Sequence, residues 1–226
     1  MKGKTIVVTG GFGALGNAVA QAAAARGATA VAVDMASNPI GLPREIMPMG
    51  GVNLTDFAST VKAFEAVKAR TGRFDALLNI AGGFVWQTLE GGDLAVWDKL
   101  YQMNVKTAAT ACKAALPHLI AGGSGRIVNV SAFGSVRAGA GMGAYAASKA
   151  GVSKLTESLA EELKGKVTVN AVMPSIIDTP ANRKDMPDAD FSKWVAPADL
   201  AAVILFLVSD EARAVTGALV PVLGQV

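Results

Sequence analysis

The sequence predicts a doubly wound α/β domain, in which helices cover both faces of one parallel sheet. Short β-branched runs alternate with longer alanine-rich segments along the whole chain of 226 residues. Such alternation requires parallel strand pairing, because a crossover helix returns the chain to the same edge of the sheet. The strand runs show little polar alternation, as is typical of strands buried on both faces. No Pro/Ser-rich linker or internal repeat divides the chain, so residues 1–226 are predicted to form one domain.

The first half of the chain predicts four strands and the helices between them. Each strand is identified by a short apolar run, and each helix by a longer segment with a start or stop signal. Gly27 ends the first helix, whereas Thr55 is a possible N-cap of the second helix and Gly72 belongs to its stop. The predicted elements are a strand at 4–9, a helix at 14–26, strands at 29–34 and 45–51, a helix at 55–70 and a strand at 74–79.

The second half continues the alternation. Residues 94–120 carry one long helix or two consecutive helices. The polar, Pro-punctuated residues 175–196 are long for a connection and are predicted to form a substrate loop or lid. The other predicted elements are a strand at 126–131, a helix at 144–164, a strand at 166–171, a helix at 197–209 and a strand at 218–223.

Composition and charge exclude several classes of protein. Hydrophobic residues make up 51% of the chain and charged residues 17%, which is enough apolar material for a sizeable core. The net charge is only +3 and no run of Lys or Arg concentrates it, so nucleic acid is not expected as a partner. The longest apolar run, Leu200 to Val208, is far short of the ~18–20 residues of a membrane-spanning helix. The N-terminal apolar run is too short for a signal peptide, and Cys112 is the only cysteine, so we expect a reducing, cytoplasmic setting.

A glycine-rich turn follows the first predicted strand. Residues 11–16 read Gly-Phe-Gly-Ala-Leu-Gly and open the first helix. Glycines at this spacing allow a tight turn and let backbone N–H groups reach a pyrophosphate at the helix N-terminus. Asp34 lies at the end of the second strand, where an acidic residue binds the hydroxyls of an adenosine ribose. The sequence therefore predicts a dinucleotide site.

Asp34 also bears on the choice of dinucleotide. Its carboxylate would repel a 2′-phosphate, and residues 35–38 supply no Arg or Lys to bind one. NAD(H) is therefore favoured. Arg44 lies further along and could fold back, so NADP(H) remains possible.

Tyr145 and Lys149 stand four residues apart and hence on one face of a predicted helix. Free tyrosine ionises near pH 10, but a fixed cation nearby lowers the pKa of the phenol and suits it to acid–base chemistry on a carbonyl/alcohol pair. Such a pair is common on exposed helices, and only the dinucleotide turn upstream favours the catalytic interpretation.

The order of these motifs resembles that of the short-chain dehydrogenases/reductases. The resemblance rests on residues 9–16, Asn79-Ile80-Ala81-Gly82, Asn104, Ser131, Tyr145-x-x-x-Lys149 and Pro174, and spans essentially the whole chain. It implies a Rossmann-type domain with a seven-stranded parallel sheet. It also implies an enzyme in which Tyr145 is the acid/base, Lys149 lowers its pKa and binds the nicotinamide ribose, Ser131 binds the substrate oxygen and Asn104 holds a water. The cofactor-binding residues implied are Gly10, Gly11, Phe12, Gly13, Leu15, Gly16, Asp34, Asn53, Leu54, Asn79, Ala81, Gly82, Tyr145, Lys149, Pro174 and Thr179.

The serine is where the chain departs from this family. The family's serine usually stands 13 residues before the tyrosine, and this position holds Ala132. Ser131 stands 14 residues before Tyr145 and Ser135 stands 10 before it. A shift of one residue in the following loop would restore the role of Ser131; alternatively, Ser131 only caps the end of its strand.

A second resemblance is local. Residues 178–194, together with 81–84 and 141–145, resemble segments of dihydropteridine reductases, a branch of the family that uses NADH and works without the serine. Three hypotheses therefore stand: carbonyl/alcohol interconversion, reduction of a quinonoid pterin, and an NAD-binding sensor or scaffold without turnover. The complete set of Tyr145, Lys149 and Asn104 argues against the third.

Substrate and subunit contacts are the least determined features. Phe84, Trp86, Met142 and Trp194 are candidate apolar walls for a planar or hydrophobic substrate, with core packing as the alternative. His118 has no evident catalytic partner, and no metal-ligand cluster is present.

The helix at 197–209 is apolar all round, and the chain is expected to form a homodimer or homotetramer. Small residues that would allow close helix contacts between subunits are Ala108, Ala109, Ala111, Ala114, Ala115, Ala146, Ala147 and Ala150.

Overall fold

A computed structural model describes all 226 residues, and its centre is a sheet of seven strands. The strands are β1 Thr5–Thr9, β2 Thr29–Val33, β3 Met47–Met49, β4 Ala76–Asn79, β5 Gly125–Val130, β6 Val167–Pro174 and β7 Leu219–Val222. Their order across the sheet is β3-β2-β1-β4-β5-β6-β7, and every neighbouring pair is parallel. The predicted seven-stranded α/β fold is thereby confirmed.

Seven helices connect the strands. They are α1 Ala14–Ala25, α2 Phe57–Thr71, α3 Ala95–Leu100, α4 Thr107–Ala121, α5 Gly143–Glu162, α6 Pro180–Asp185 and α7 Pro197–Leu207. A π-helical segment, Tyr101–Lys106, joins α3 to α4 without a break, and 3-10 turns lie at Phe133–Ser135 and Phe191–Lys193. No helix has both the length and the apolar character to cross a bilayer, and no group of three or more His, Cys, Asp or Glu residues could hold a metal ion.

The sheet separates two apolar cores, one on each face. Alternate residues of each strand point to opposite faces, so that Val8 packs against α1 and α7 whereas Val7 packs against α2, α4 and α5. Leu77, on the central strand β4, and Ile127, on its neighbour β5, are fully buried in the second core. This close packing on both faces fixes the carboxyl ends of the strands, where several of the predicted site residues lie.

Two predictions of local structure need correction and a third is confirmed. The N-cap of α2 is Asp56, whose side chain accepts a hydrogen bond from Ser59 N at 3.1 Å, and not Thr55. Residues 94–120 form two consecutive helices, one of the two arrangements predicted, and a π-helical segment joins them. The predicted loop at 175–196 contains α6 and a 3-10 turn, and a parallel bridge between Ile177 and Val195 draws its ends together.

Candidate functional site

The turn between β1 and α1 is built for close contact. Gly10 has φ +64°, a conformation that L side chains rarely adopt, and a Cβ there would lie 2.9 Å from the backbone of Ala81. A Cβ at Gly16 would overlap the carbonyl oxygen of Gly10. The N-terminus of α1 at Gly13 has no side-chain cap, so its first N–H groups are available to an anionic ligand.

Asp34 joins this turn to the end of β2. One carboxylate oxygen accepts a hydrogen bond from Phe12 N at 3.1 Å, and the other accepts one from Ala36 N at 3.0 Å. Both oxygens keep a second lone pair for a ligand hydroxyl. The contacts hold the carboxylate at the edge of the cleft described next.

A cleft of about 690 Å³ lies at the carboxyl ends of β1, β2 and β4, a size typical of a small-molecule or cofactor site. It brings together many of the residues predicted to bind a dinucleotide. These are Gly10, Gly13, Leu15, Gly16, Asp34, Asn53, Leu54, Ala81 and Gly82. Gly11 and Phe12 belong to the same turn but do not line the cleft.

Sequence reasoning missed the opposite wall of the cleft. Lys99, Met103 and Thr107 project into it from the continuous helical segment formed by α3, the π-helical segment and α4. Their spacing of four residues is the signal that would have revealed a common face. Lys99 and Asp34 are the only charged side chains in the lining. The remaining lining residues that were not predicted are Met35, Val52, Thr55, Ile80 and Gln102.

The loop after β4 is held in place from two sides. The Thr9 hydroxyl oxygen accepts hydrogen bonds from Ile80 N at 3.1 Å and Ala81 N at 3.2 Å. On the other side, Asn104 Oδ1 accepts a hydrogen bond from Gly83 N at 2.8 Å, and Asn104 Nδ2 donates to Gly83 O at 3.1 Å. Two backbone positions of the loop are therefore fixed by side chains of other elements.

Asn104 is buried in the π-helical segment, a distortion that is frequent at functional sites. Its Nδ2 also donates to Ser148 Oγ at 2.9 Å on α5. A Cβ on Gly82 would lie 2.5 Å from Asn104 Oδ1 and 3.3 Å from Lys149 Nζ. Gly82, Asn104 and Lys149 thus meet at one point beside the cleft.

Lys149 is a buried ammonium group that no carboxylate neutralises. Its Nζ donates to Val130 O at 2.8 Å, and no ion pair of the protein includes it. Burial lowers the pKa of Lys149 to about 8, because the charged form loses its hydration.

Tyr145 lies one helical turn before Lys149, with its ring edge-on to Phe84 at a centroid distance of 4.8 Å. Burial raises the pKa of Tyr145 to about 12. The expected lowering by Lys149 is therefore not found in this structure, because the ammonium is directed to Val130 O and the loss of hydration dominates.

Ser131 lies in the interior. Its hydroxyl donates to Lys149 O at 2.9 Å and lies 2.8 Å from Ser153 Oγ, and the residue is only 1% exposed. This geometry corrects the expectation that Ser131 binds a substrate oxygen and favours the alternative, a structural role at the end of β5.

Asn79 is also turned away from the cleft. Its Nδ2 donates to Asn129 Oδ1 at 2.8 Å and to Cys112 Sγ at 3.2 Å, and its Oδ1 is buried without a partner. The structure therefore places Asn79 among the polar groups that join β4 to β5, and corrects its expected position in the cofactor lining.

The candidate substrate walls fall into two groups. Phe84 and Trp86 are 53% and 59% exposed, and Trp86 Nε1 donates to Ala140 O at 2.9 Å, which ties the loop after β4 to the loop before α5. Met142 lies in that second loop, beside Gly134 and Gly139. Trp194 is only 7% exposed and packs on Phe191 at 4.8 Å, so it belongs to the protein interior and is not a free wall.

Pro174 ends β6, and Thr179 follows it as the N-cap of α6. The Thr179 hydroxyl accepts a hydrogen bond from Asn182 N at 3.2 Å. An ion pair between Asp178 and Arg183 closes the same turn, at 2.5 Å and 2.7 Å. The residues that begin the predicted lid are thus fixed at the carboxyl edge of the sheet.

Comparison with known proteins gives matches over the whole chain. The sequence profile of the family described as short chain dehydrogenase matches residues 4–190. The 3-oxoacyl-(acyl-carrier-protein) reductase of Thermotoga maritima is 33% identical over 242 residues, covering 99% of this chain and 98% of that protein. The 2,5-dichloro-2,5-cyclohexadiene-1,4-diol dehydrogenase of Sphingobium indicum is 32% identical over 245 residues, covering 99% and 96%. The structure of carveol dehydrogenase from Mycobacterium avium in complex with NAD has a TM-score of 0.87 at 27% identity, covering 99% of this chain and 97% of that one.

Proposed function

Because this chain belongs to the short-chain dehydrogenase family, we propose that it is an NAD(H)-dependent oxidoreductase that interconverts a carbonyl and an alcohol. The observation that carries the proposal is that Asn104 and Lys149 meet at Gly82, in the loop after β4. This point lies at the edge of a dinucleotide-sized cleft, and Lys149 follows Tyr145 by one helical turn. The relatives named above are a reductase and two dehydrogenases, which agrees with this class of reaction.

The cleft suits a nicotinamide dinucleotide. Its floor is a glycine turn that a Cβ would fill, and the uncapped N-terminus of α1 offers N–H groups to a pyrophosphate. Asp34 stands where a ribose would present its hydroxyls, and Gly82 and Lys149 stand at the reactive end. When bound, the nicotinamide supplies or accepts a hydride.

NAD(H) is the form of cofactor that we propose. The Asp34 carboxylate would repel a 2′-phosphate, and no Arg or Lys stands in residues 35–38. Arg44 is exposed and does not line the cleft, so it does not offset that repulsion.

Tyr145 is assigned as the acid/base and Lys149 as its support. Because the pKa of Tyr145 is raised to about 12, the phenol stays protonated at neutral pH and can give a proton to an oxygen that becomes negative as a carbonyl is reduced. Lys149 places a positive charge beside Gly82 below its pKa of about 8, where a ribose hydroxyl or a phenolate would meet it. Asn104 positions this wall through its hydrogen bonds to Gly83 and Ser148.

The test of this assignment is Tyr145→Phe, assayed by NADH oxidation at 340 nm with a panel of aldehydes, ketones and diketones. We expect turnover to fall at least 100-fold, since one positioned proton donor contributes about 10²–10⁴-fold, while the Kd for NADH measured by fluorescence stays within about threefold. The matched control is Tyr101→Phe, which removes the only other tyrosine hydroxyl from an exposed position. Normal turnover in Tyr145→Phe refutes the mechanism.

The relatives named above support alcohol and carbonyl chemistry, so we do not propose a pterin as the substrate.

A homodimer or homotetramer remains our proposal for the assembly, supported by Phe206, which is 49% exposed on α7. Light scattering at micromolar concentration tests it, and a monomer mass refutes it. Fewer of the alanines predicted to lie at a subunit contact are free to do so, because most of them are buried within the chain. The buried ones are Ala108, Ala111, Ala114, Ala115 and Ala146.

A further inference from the structure

Reduction of a carbonyl places negative charge on its oxygen, and hydroxyl or N–H donors stabilise that charge in a transition state. The end of β5 and the turn after it carry two hydroxyl groups near α5, those of Ser131 and Ser135. Each hydroxyl has one proton to donate, so a hydroxyl that already donates to a protein acceptor has no proton left for a substrate oxygen.

Neither of these protons is available to a substrate. Ser131 donates its proton to Lys149 O at 2.9 Å and is buried. Ser135 donates its proton to Ala132 O at 2.7 Å. Both bonds are to backbone carbonyls that the fold keeps in place.

Ala132 follows Ser131 and continues the strand direction, and its methyl side chain has no hydroxyl proton to donate. Its backbone is extended, with φ −156° and ψ 149°. Side chains alternate along an extended chain, so Ala132 points to the opposite side from Ser131, whose hydroxyl faces Ser153 on α5. A methyl group, with the residue 5% exposed, thus occupies the side of the strand opposite to Ser153.

We propose that Tyr145 is the only side-chain hydroxyl donor to the reacting oxygen, and that the enzyme therefore selects electron-poor carbonyls, specifically vicinal dicarbonyl compounds, over simple ketones. The inference rests on the proposed function. In a vicinal dicarbonyl the second C=O withdraws electrons from the reacting one and performs part of the stabilisation that a missing donor would give. A hydride adds to one carbonyl carbon, Tyr145 transfers its proton to the oxygen, and C=O becomes CH–OH; NADH is oxidised to NAD⁺ and a solvent proton restores Tyr145.

The exposed aromatic rings agree with a planar substrate of this kind. Phe84 lies edge-on to the ring of Tyr145 and stays half exposed, and Trp86 is held by its bond to Ala140 O with much of its ring in solvent. Flat conjugated groups pack well on such rings.

The experiment compares 1-phenyl-1,2-propanedione with propiophenone, which lacks the second carbonyl, in the wild type and in Ala132→Ser. Removal of one oxyanion donor costs about 10²–10³-fold in kcat, so a donor added without optimisation is expected to raise kcat/KM for propiophenone roughly 10–100-fold. The value for the dione is expected to change less than about threefold, so the preference for the dione falls at least about threefold. Ala138→Ser, which adds an exposed hydroxyl to the following loop, is the matched control and should keep the wild-type preference.

A binding measurement accompanies the kinetics. N-Methylbenzamide presents a carbonyl oxygen that cannot be reduced, and calorimetry gives its Kd in the presence of NAD⁺. One additional hydrogen bond is expected to tighten this binding roughly 2–10-fold in Ala132→Ser and not in Ala138→Ser.

The inference is overturned if wild-type enzyme reduces both ketones with similar kcat/KM, or if folded Ala132→Ser keeps both the wild-type preference and the wild-type Kd. Should Ala132→Ser fail to fold, a series of para-substituted propiophenones on the wild type replaces it. A steep rise of kcat/KM with electron withdrawal supports the single donor, and a flat series overturns it. Failure of the proposed function is distinguishable, because then no carbonyl in the panel is reduced or Tyr145→Phe stays fully active.

Discussion

Lys149 allows the electrostatics of the site to be tested without a substrate. Burial lowers its pKa from 10.5 to about 8. At ~1.4 kcal/mol per pKa unit, this difference of about 2.5 corresponds to a destabilisation of roughly 3 kcal/mol whenever the folded protein keeps the ammonium charged. The penalty is fully present below pH 8 and is relieved as the pH rises towards 10.5.

The sign follows from proton binding. Between pH 8 and 10.5 the unfolded chain holds more protons on Lys149 than the folded chain does, so the free energy of unfolding increases with pH over this interval. We expect it to rise by about 2–3 kcal/mol between pH 7 and pH 10, relative to the variant Lys149→Met, which has no charge at this site. Tyr145, with its pKa raised to about 12, makes the folded state lose stability only above pH 10, and this effect cancels in the comparison.

The assay is urea unfolding of the cofactor-free protein at pH 7, 8, 9 and 10, followed by circular dichroism. Lys106→Met removes an exposed lysine from the neighbouring π-helical segment and is the control; its curve should run parallel to that of the wild type. Parallel curves for wild type and Lys149→Met would refute the reasoning, as would a relative fall in wild-type stability between pH 7 and 10.

Three further predictions concern the cleft and the core. Lys99→Ala should raise the Kd for NADH about 3–10-fold, and more at low salt than at high salt. The Kd for ADP should rise as well, whereas the Kd for adenosine should not. Lys106→Ala, outside the cleft, should leave all three Kd values unchanged. Asp34→Ala should weaken NADH binding about tenfold and reduce the preference for NADH over NADPH, measured as the ratio of their Kd values, and an unchanged ratio would contradict the role of this carboxylate. Leu77→Ala should lower the free energy of unfolding by about 2–5 kcal/mol in urea titrations, because it leaves a cavity beneath the central strand; a loss below 1 kcal/mol would show that the core closes around the gap.

The features predictable from the sequence are those set by short stretches of chain. The strands follow from β-branched runs, and the β1–α1 turn follows from glycine spacing, since Gly10 and Gly16 have no room for a Cβ whatever lies elsewhere. Asp34 is predictable because the carboxyl end of β2 must lie at the same sheet edge as that turn. The cytoplasmic setting and the assembly stay predictions.

The features that escaped prediction depend on contacts between distant segments. The direction of the Ser131 hydroxyl is decided by Ser153 and Lys149 on a helix about twenty residues away. The inward turn of Asn79 is decided by Asn129 on the neighbouring strand, and the entry of Lys99 into the cleft by how α3 lies over the sheet. Patterns of single residues carry no signal for such choices.

The π-helical segment that carries Asn104 has a consequence for insertions and deletions. A segment of this kind contains one residue more than an α-helix of the same rise, so removing any one residue between Tyr101 and Lys106 would restore regular winding. The faces that α3 and α4 show to the cleft would stay as they are, because the segment winds about as far as an α-helix that is one residue shorter. The wider turn that carries Asn104 would be lost, and Asn104 would leave Gly83. For this stretch the number of residues therefore matters more than most of their identities, because a deletion here would displace the support of Gly83 and leave the flanking helices in place.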